Sequence, residues 1–422
     1  MKNILKEVKE ELKNYKVVVA CSTGVDSMTL LTLVMQVCKH DNIVVAHVNH
    51  KKRLQSDQEE IYIKTFCETN NLKYYIKHLD HIDTGNFQSL AREKRYEFFD
   101  EVVKSENAKY LLLAHHADDN IETILMRLLK SSSLKGYAGI EKKTYYHNYY
   151  IYRPFLDIPK LRIQEYANNT NIKYYEDDSN QTLDYTRNRI RHLIVPILLE
   201  ENPNLYEAVS YYSKTLLSAN NIIENNEISF IENKIVTNNI NGEISHTINI
   251  DDLLSLDDFM QKQILFRLLR KYNLSHKCIE EIIKKIKSQK SSIVSEITPK
   301  LALIKEHKRI IFTEASIKPL NFNITINGEG IYDLPNGRKI EISKNNCNFF
   351  TTNDVLCYNI QDLPIIIRTR VVKDKIKNTL VSDYLTKLKL PYMIKKDILL
   401  LCDCKNNVIA VLGHKGGKKW QM

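Results

Sequence analysis

The chain has 422 residues, more than one hydrophobic core usually supports, so two or three domains are expected. Apolar residues at 43% and charged residues at 27% describe a globular composition and exclude a disordered polymer. The formal net charge of +10, from 61 Lys and Arg against 51 Asp and Glu, favours a polyanionic partner, although an AT-rich genome that writes Lys and Asn freely would give the same surplus.

The first segment, MKNILKEVKEELKNYK, interleaves charge with apolar residues at helical spacing and lacks the apolar core of a signal peptide. No run of about 18 apolar residues follows, so a cytoplasmic protein is expected. The eight cysteines form no regular framework and read as reduced thiols. Cys402-Asp403-Cys404 is a lone close pair and is taken as part of a strand, since a metal site normally needs four ligands.

From residue 16 to about 180, short apolar runs alternate with helical patterns. The spacing predicts strands at Lys16–Cys21, Ile43–Val48, Leu72–His78 and Tyr110–Ala114, with helices over Ser27–Lys39, Asp57–Asn70 and Gln88–Lys104. Ser56-Asp57-Gln58-Glu59 has the form of a capping box before the second of these helices. Wholly apolar strands joined by helices imply a doubly wound α/β domain with a parallel sheet covered on both faces. Ligands of such sheets bind beyond the carboxyl ends of the strands. Three of those ends carry polar clusters: Ser22–Ser27, His47-Val48-Asn49-His50 and His115-His116-Ala117-Asp118-Asp119.

Beyond Asn202-Pro203-Asn204 the pattern changes. Residues 205–225 and 257–290 read as amphipathic helices with ambiguous, partly extended chain between them. From about 297 the text is β-rich, with runs at Lys308–Thr313 and Asn321–Ile326, and Asn327-Gly328 and Asn336-Gly337 read as hairpin turns. The last stretch mixes strands with one helix, Leu380–Leu388, and ends in a basic tail through Trp420. The expected domains are 1–204, α/β and catalytic; 205–320, mainly helical; and 321–422, a small α+β domain.

The segment VVVACSTGVDSMTLLTLV sets a buried strand, a tight turn and a helix in succession. Backbone N–H groups at a helix N-terminus form an anion site, so Ser22, Thr23, Gly24, Val25, Asp26 and Ser27 are candidates for holding phosphate. Asp26 beside a phosphate makes sense if Mg²⁺ lies between them. No Lys follows, so this is no Walker loop; an ordinary strand-to-helix turn capped by Ser or Thr is the competing reading.

Ser22-Thr23-Gly24-Val25-Asp26-Ser27 resembles the Ser-Gly-Gly-x-Asp-Ser motif of the PP-loop, or N-type ATP pyrophosphatase, superfamily. Thr23 stands where Gly is usual, so a positive φ there would be strained. Further blocks resemble the tRNA(Ile)-lysidine synthetase family in its order. They are His47–His50 with Arg53 and Ser56-Asp57, Ala91–Tyr96, Leu113–Thr123, Arg153–Leu156 as a strand, Glu176–Asn180 with Arg187–Arg191, and Asn202-Pro203. Pro364, Arg368, Arg370 and Lys389-Leu390-Pro391 extend the likeness to the C-terminal region. Departures are Asn120 for Gln, Lys130-Ser131-Ser132-Ser133 for Arg-Gly-Ser-Gly, and Lys373 for Gly.

The resemblance implies a Rossmann-like PP-loop fold and an enzyme that uses ATP and Mg²⁺. Such an enzyme adenylates the 2-oxygen of the wobble cytidine in the CAU anticodon of tRNA(Ile) and lets free L-lysine displace AMP. Residue chemistry then suggests roles. Asp26 would hold Mg²⁺. Asp119 and Glu122, on one helical face, would take the lysine ammonium and its proton, with helix capping as the plainer reading of Asp118 and Asp119. Of the two histidines, His115 is expected to reach the base or phosphate, while His116 alternates away as a core residue. Arg95 (or Arg92), Arg187 and Arg191 would brace the α-phosphate or the lysine carboxylate, tRNA contact or plain solvation being the alternative. The basic C-terminal part would contact tRNA phosphates. Rival readings are a tRNA thiolase, which needs a catalytic cysteine or a Cys-x-x-Cys set holding an iron–sulfur cluster, the latter absent from this sequence, and a non-catalytic RNA-binding protein with a decayed loop. The sequence leaves the oligomeric state open, a homodimer included.

Overall fold

The computed structural model describes residues 1–49, 54–79, 87–175, 183–240, 242–319, 321–334, 339–343, 355–359, 363–376 and 378–412. The chain divides into two compact units, Met1–Ile222 and Ile223–Met422.

The first unit is built on a six-stranded sheet of β1 (Val17–Ala20), β2 (Ile43–Asn49), β3 (Lys73–His78), β4 (Tyr110–Leu112), β5 (Lys143–Tyr146) and β6 (Tyr149–Tyr152). Its order is β3-β2-β1-β4-β6-β5, and every pairing but β5–β6 is parallel. The helices are α1 (Lys2–Leu12), α2 (Val25–Val37), α3 (Leu54–Thr69), α4 (Phe87–Ser105), α5 (Ala117–Lys130), α6 (Leu134–Tyr137), α7 (Lys160–Asn169), α8 (Thr186–Arg189), α9 (Val195–Glu201) and α10 (Leu205–Lys234), the last running across the boundary between the units. Successive side chains of a strand point to opposite faces. Val17 and Val19 accordingly enter a core with Met28, Ile63 and Ile163, while Val18 enters another with Phe98, Phe99 and Val102. Both faces of β1 are buried, which is why it is apolar throughout.

The parallel strands and their helices lie where the apolar runs predict them. Three local expectations give way. Helix α3 starts at Leu54, so Ser56 lies within its first turn and not at its N-cap. The Arg153–Leu156 segment is a turn after β6, not a strand. The β5–β6 hairpin was not foreseen, because its tyrosine-rich text carries no clean alternation. The strand order reverses between β1 and β4, which makes the space beyond their carboxyl ends the topological switch point.

In the second unit an antiparallel sheet is formed by β7 (Ile235–Ile240), β8 (Glu243–Asn249), β9 (Ser292–Thr298), β10 (Leu301–Glu306) and β11 (Arg309–Thr313), in the order β7-β8-β11-β10-β9. It packs with α11 (Ile250–Leu254), α12 (Asp258–Leu268) and α13 (His276–Lys287). The middle of the chain is thus helical as expected, and its ambiguous stretch supplies the first strands of this sheet. A six-stranded mixed sheet and a three-stranded sheet follow. Asn327-Gly328 does not close a hairpin: Asn323–Ile326 pairs with Ile365–Thr369, and Gly330–Asp333 pairs with Lys339–Ser343. Pairing distant in sequence overrides that dipeptide's local preference. Gly330–Asp333 and Lys339–Ser343 do form an antiparallel pair across Asn336-Gly337, a dipeptide that lies outside the described residues.

Candidate active site

Beyond β1 the chain turns through Cys21–Gly24 into α2. Three bonds shape the turn. Ser22 N donates to Ser27 Oγ at 3.1 Å, Ser27 Oγ donates to Gly24 O at 3.0 Å, and Thr23 Oγ1 donates to Ser22 O at 2.5 Å. The hydroxyls of Thr23 and Ser27 are therefore buried and used inside the loop, leaving Ser22 as the exposed one. Thr23 adopts φ +65°, the conformation in which a β-branched residue is strained, and Tyr175 N holds its carbonyl at 3.0 Å. Gly24 is the N-cap of α2 with φ −71°; a Cβ there would approach nothing closer than Ser22 Oγ at 3.7 Å. Helix geometry leaves the N–H groups of Val25, Asp26 and Ser27 without intrahelical acceptors. At the end of β2, buried His47 donates from Nδ1 to Cys21 O at 2.9 Å and ties the loop to that strand. Asn49 Nδ2 donates to Glu60 Oε2 at 2.8 Å.

Beyond β4, His116 caps α5 and faces the phosphate loop. Its Nε2 lies 3.8 Å from Asp26 Oδ2 and 3.4 Å from Asp119 Oδ2, and its Nδ1 lies 3.4 Å from Asp118 Oδ2. Burial favours the neutral ring, but the three carboxylates outweigh it and raise the His116 pKa. Residue alternation turned this histidine toward the core; it is buried, yet it is the bridge between loop and helix. Asp119 accepts from the His116 backbone at 3.0 Å, so it does cap the helix while remaining in the cluster. Asp118 accepts from Lys160 N at 2.8 Å and Tyr206 Oη at 2.9 Å; burial opposes its ionisation, but the His116 and Lys160 bonds hold its pKa at about 2. Asp26 behaves differently. Its Oδ1 is buried without a partner among the described residues, and burial raises its pKa against the charges of His116 and Lys160.

Arg187 and Arg191 close the cluster. Arg187 donates from Nε to Glu122 Oε2 at 2.6 Å and from Nη2 to Asp119 Oδ1 at 2.7 Å. Arg191 donates from Nε and Nη2 to the two oxygens of Glu122, at 2.6 and 3.1 Å. Spacing of four residues puts both guanidiniums on one side, and a π-helical turn, Ile190–Ile194, follows at once. The structure thus brings Asp26, Asp119, Glu122, Arg187 and Arg191 together. It also shows the fully buried Glu122 saturated by arginines rather than open to an amine.

His115 lines a cavity of about 590 Å³, shared with Arg92, Arg153 and Arg187. Burial lowers its pKa to about 3, so the ring is neutral at pH 7. Arg95 stands apart: its guanidinium lies 6.0 Å from the Tyr96 ring, and its buried Nε has no partner among the described residues. Sequence reasoning missed Arg153 as a site residue, quoting it only within a strand. Its position directly after β6 is the same carboxyl-end signal that marked the other clusters. His50, Arg53 and Glu176–Asn180 lie outside the described residues, as does the tail from His414 to Trp420.

A PP-loop domain model matches residues 1–198. Over 424 residues the chain is 30% identical to the tRNA(Ile)-lysidine synthase of Bacillus anthracis, an alignment covering 93% of this chain and 87% of that protein. It is 30% identical to a bifunctional TilS/HprT protein of Listeria innocua, covering 95% of this chain and 65% of the relative. It is 40% identical over 211 residues to the tRNA(Ile)-lysidine synthase of Enterococcus faecalis, covering 49% of this chain and 46% of that protein. The chain therefore spans under two thirds of the length of these last two relatives.

Proposed function

The chain belongs to the tRNA(Ile)-lysidine synthase family, and we propose from that premise that it ligates lysine to carbon 2 of the wobble cytidine in tRNA(Ile), at the expense of ATP. The observation that carries this reading is the meeting of the phosphate loop and the His115–Glu122 block at the switch point, joined through His116.

The reaction has two balanced steps. The cytidine 2-oxygen attacks the α-phosphorus of ATP and pyrophosphate leaves. The ε-amine of lysine then attacks carbon 2, loses a proton, and AMP leaves with the oxygen. The chain's residues meet these demands in turn. The N–H groups of Val25, Asp26 and Ser27 receive phosphate oxygens, aided by the α2 dipole. Gly24 leaves open the approach that a side chain would narrow. Asp26 suits Mg²⁺, a hard ion that takes carboxylate and phosphate oxygens, because its Oδ1 is buried and has no partner among the described residues. Bound there, the ion would neutralise charge on the departing pyrophosphate.

Asp119 is the carboxylate we assign to the lysine ammonium. Glu122 we assign to positioning: it fixes Arg187 and Arg191, which brace the α-phosphate. His115, neutral, can exchange a hydrogen bond with the base without repelling the arginines. Residues 1–204 do the chemistry, while 205–320 and 321–422 hold the tRNA, and the protein works in the cytoplasm. The thiolase reading finds no reactive thiol at the loop: Cys21, beside it, is buried, and burial pushes its thiol pKa up.

The test is pyrophosphate release from ATP. It should require tRNA(Ile) for the first step, and steady turnover should require lysine as well. The Asp119→Asn protein should keep ATP binding and raise the KM for lysine. An Asp119→Ala enzyme forming lysidine at the normal rate would remove Asp119 from the mechanism.

A further inference from the structure

The 590 Å³ cavity beside His115 falls in the size range of ligand sites, roughly 300–1,000 Å³. Its charge is lopsided. Arg92, Arg127, Arg153, Arg187 and Lys135 line it, with Glu141 as the acidic member. Lys135 and Glu141 pair at 2.8 Å, and Arg187 is spent on Asp119 and Glu122. Arg92, Arg127 and Arg153 have no carboxylate partner among the described residues; they bond instead to Tyr96 Oη, Ser132 Oγ and the Glu141 carbonyl. Arg153 Nε is buried with no partner at all among those residues, as is His115 Nδ1. Met126, Ile140 and Thr123 supply a less polar wall.

Two substrates could enter. Free lysine at neutral pH carries two ammonium groups and one carboxylate, so its net charge is positive and three unpaired guanidiniums repel it. A nucleotide within an RNA strand carries a phosphodiester on either side and a flat ring that packs on apolar and guanidinium surfaces. We propose that this cavity seats the target nucleotide of the RNA, with its flanking phosphates held by Arg92, Arg127 and Arg153, and that it is not the lysine site. The proposal rests on the ligase reading above and assigns one of its substrates a place.

The wall shared with the carboxylate cluster is formed by His115 and Arg187, so a base in the cavity would lie next to the groups that act on it. Lysine is left the acidic side, where Asp26, Asp118 and Asp119 surround His116.

The test uses the full-length protein with Arg92→Ala, Arg127→Ala and Arg153→Ala, and the matching Lys variants. Direct binding of tRNA(Ile) without turnover should weaken by about tenfold or more per Ala variant, as expected for a charge-assisted bond. The slope of log affinity against log salt should become shallower by about one per arginine. The Lys variants should restore the salt slope but only part of the affinity, since an ammonium lacks the guanidinium fork. The KM for lysine should stay unchanged. A raised lysine KM with tRNA binding intact would make the cavity the amino-acid site and overturn the proposal, as would unchanged binding of both. Arg92 and Arg127 are exposed, so their variants should fold even if Arg153→Ala does not. Failure of the wild-type protein to make lysidine would count against the ligase reading alone, because the binding assay needs no catalysis.

Discussion

At the residue scale the site is governed by which carboxylates are already satisfied. Glu122 is fully buried and accepts from two guanidiniums, whereas Asp26 has a buried oxygen with no partner among the described residues. Replacing Glu122 with Gln should destabilise the protein by about 1–3 kcal/mol, less than the roughly 3–5 kcal/mol of a fully buried ion pair, because Arg187 and Arg191 are 36% and 25% exposed and can rehydrate. Turnover should fall with it, while ATP binding survives; thermal melts and nucleotide titration separate the two effects. Asp26, Asp119 and Glu122 were legible because their residue types sit at strand ends and helical spacings, and Arg187 and Arg191 through the resemblance of their block to the family's. The inward turn of His116 was not, since the path of the two residues between β4 and α5 depends on long-range contacts that no local periodicity encodes. Thr23 was legible in part: its Cβ at a loop position favouring glycine signalled strain, and the structure places it at φ +65°.

At the scale of elements, the first unit is stapled at the end remote from the site. Buried Glu106, just after α4, receives Lys16 beside β1 at 2.6 Å and both Lys73 and Tyr75 of β3 at 2.6 and 2.5 Å. Burial opposes the charge, yet these donors hold the Glu106 pKa down to about 2. A depressed carboxylate contributes stability above its unfolded pKa, near 4.5, and loses it as pH falls toward 2. Glu106→Gln should therefore lower Tm at pH 7, and the gap to wild type should shrink between pH 4.5 and 2. A gap that persists at pH 2 would exclude the charge as its source. Near the site, Asn120 accepts from Ile140 N at 2.7 Å and donates to Ser213 Oγ at 3.1 Å, tying α5 to the cavity wall and to α10. A Cβ on Gly139, at φ +83°, would fall 2.2 Å from Asn120 Oδ1, so Gly139→Ala should cost about 2 kcal/mol or more in denaturant unfolding. Parallel strands with continuous apolar text were readable. The β5–β6 hairpin and the failed Asn327-Gly328 turn were not, because pairing partners far along the chain decide them.

For the whole molecule, a net charge of +10 and a cationic cavity lead to a strongly salt-dependent encounter with RNA. If six or so phosphates are contacted, tRNA affinity should drop about 10³-fold between roughly 50 and 200 mM salt. A filter-binding series that stays flat would deny the charge any such role. The central claim is tested most directly by mass spectrometry of the anticodon nucleoside after incubation with ATP, Mg²⁺ and isotopically labelled lysine. The account predicts a wobble cytidine that has gained one labelled lysine less one water, and none without ATP. An unmodified cytidine despite ATP consumption, or a nucleoside with sulfur in place of oxygen, would contradict it.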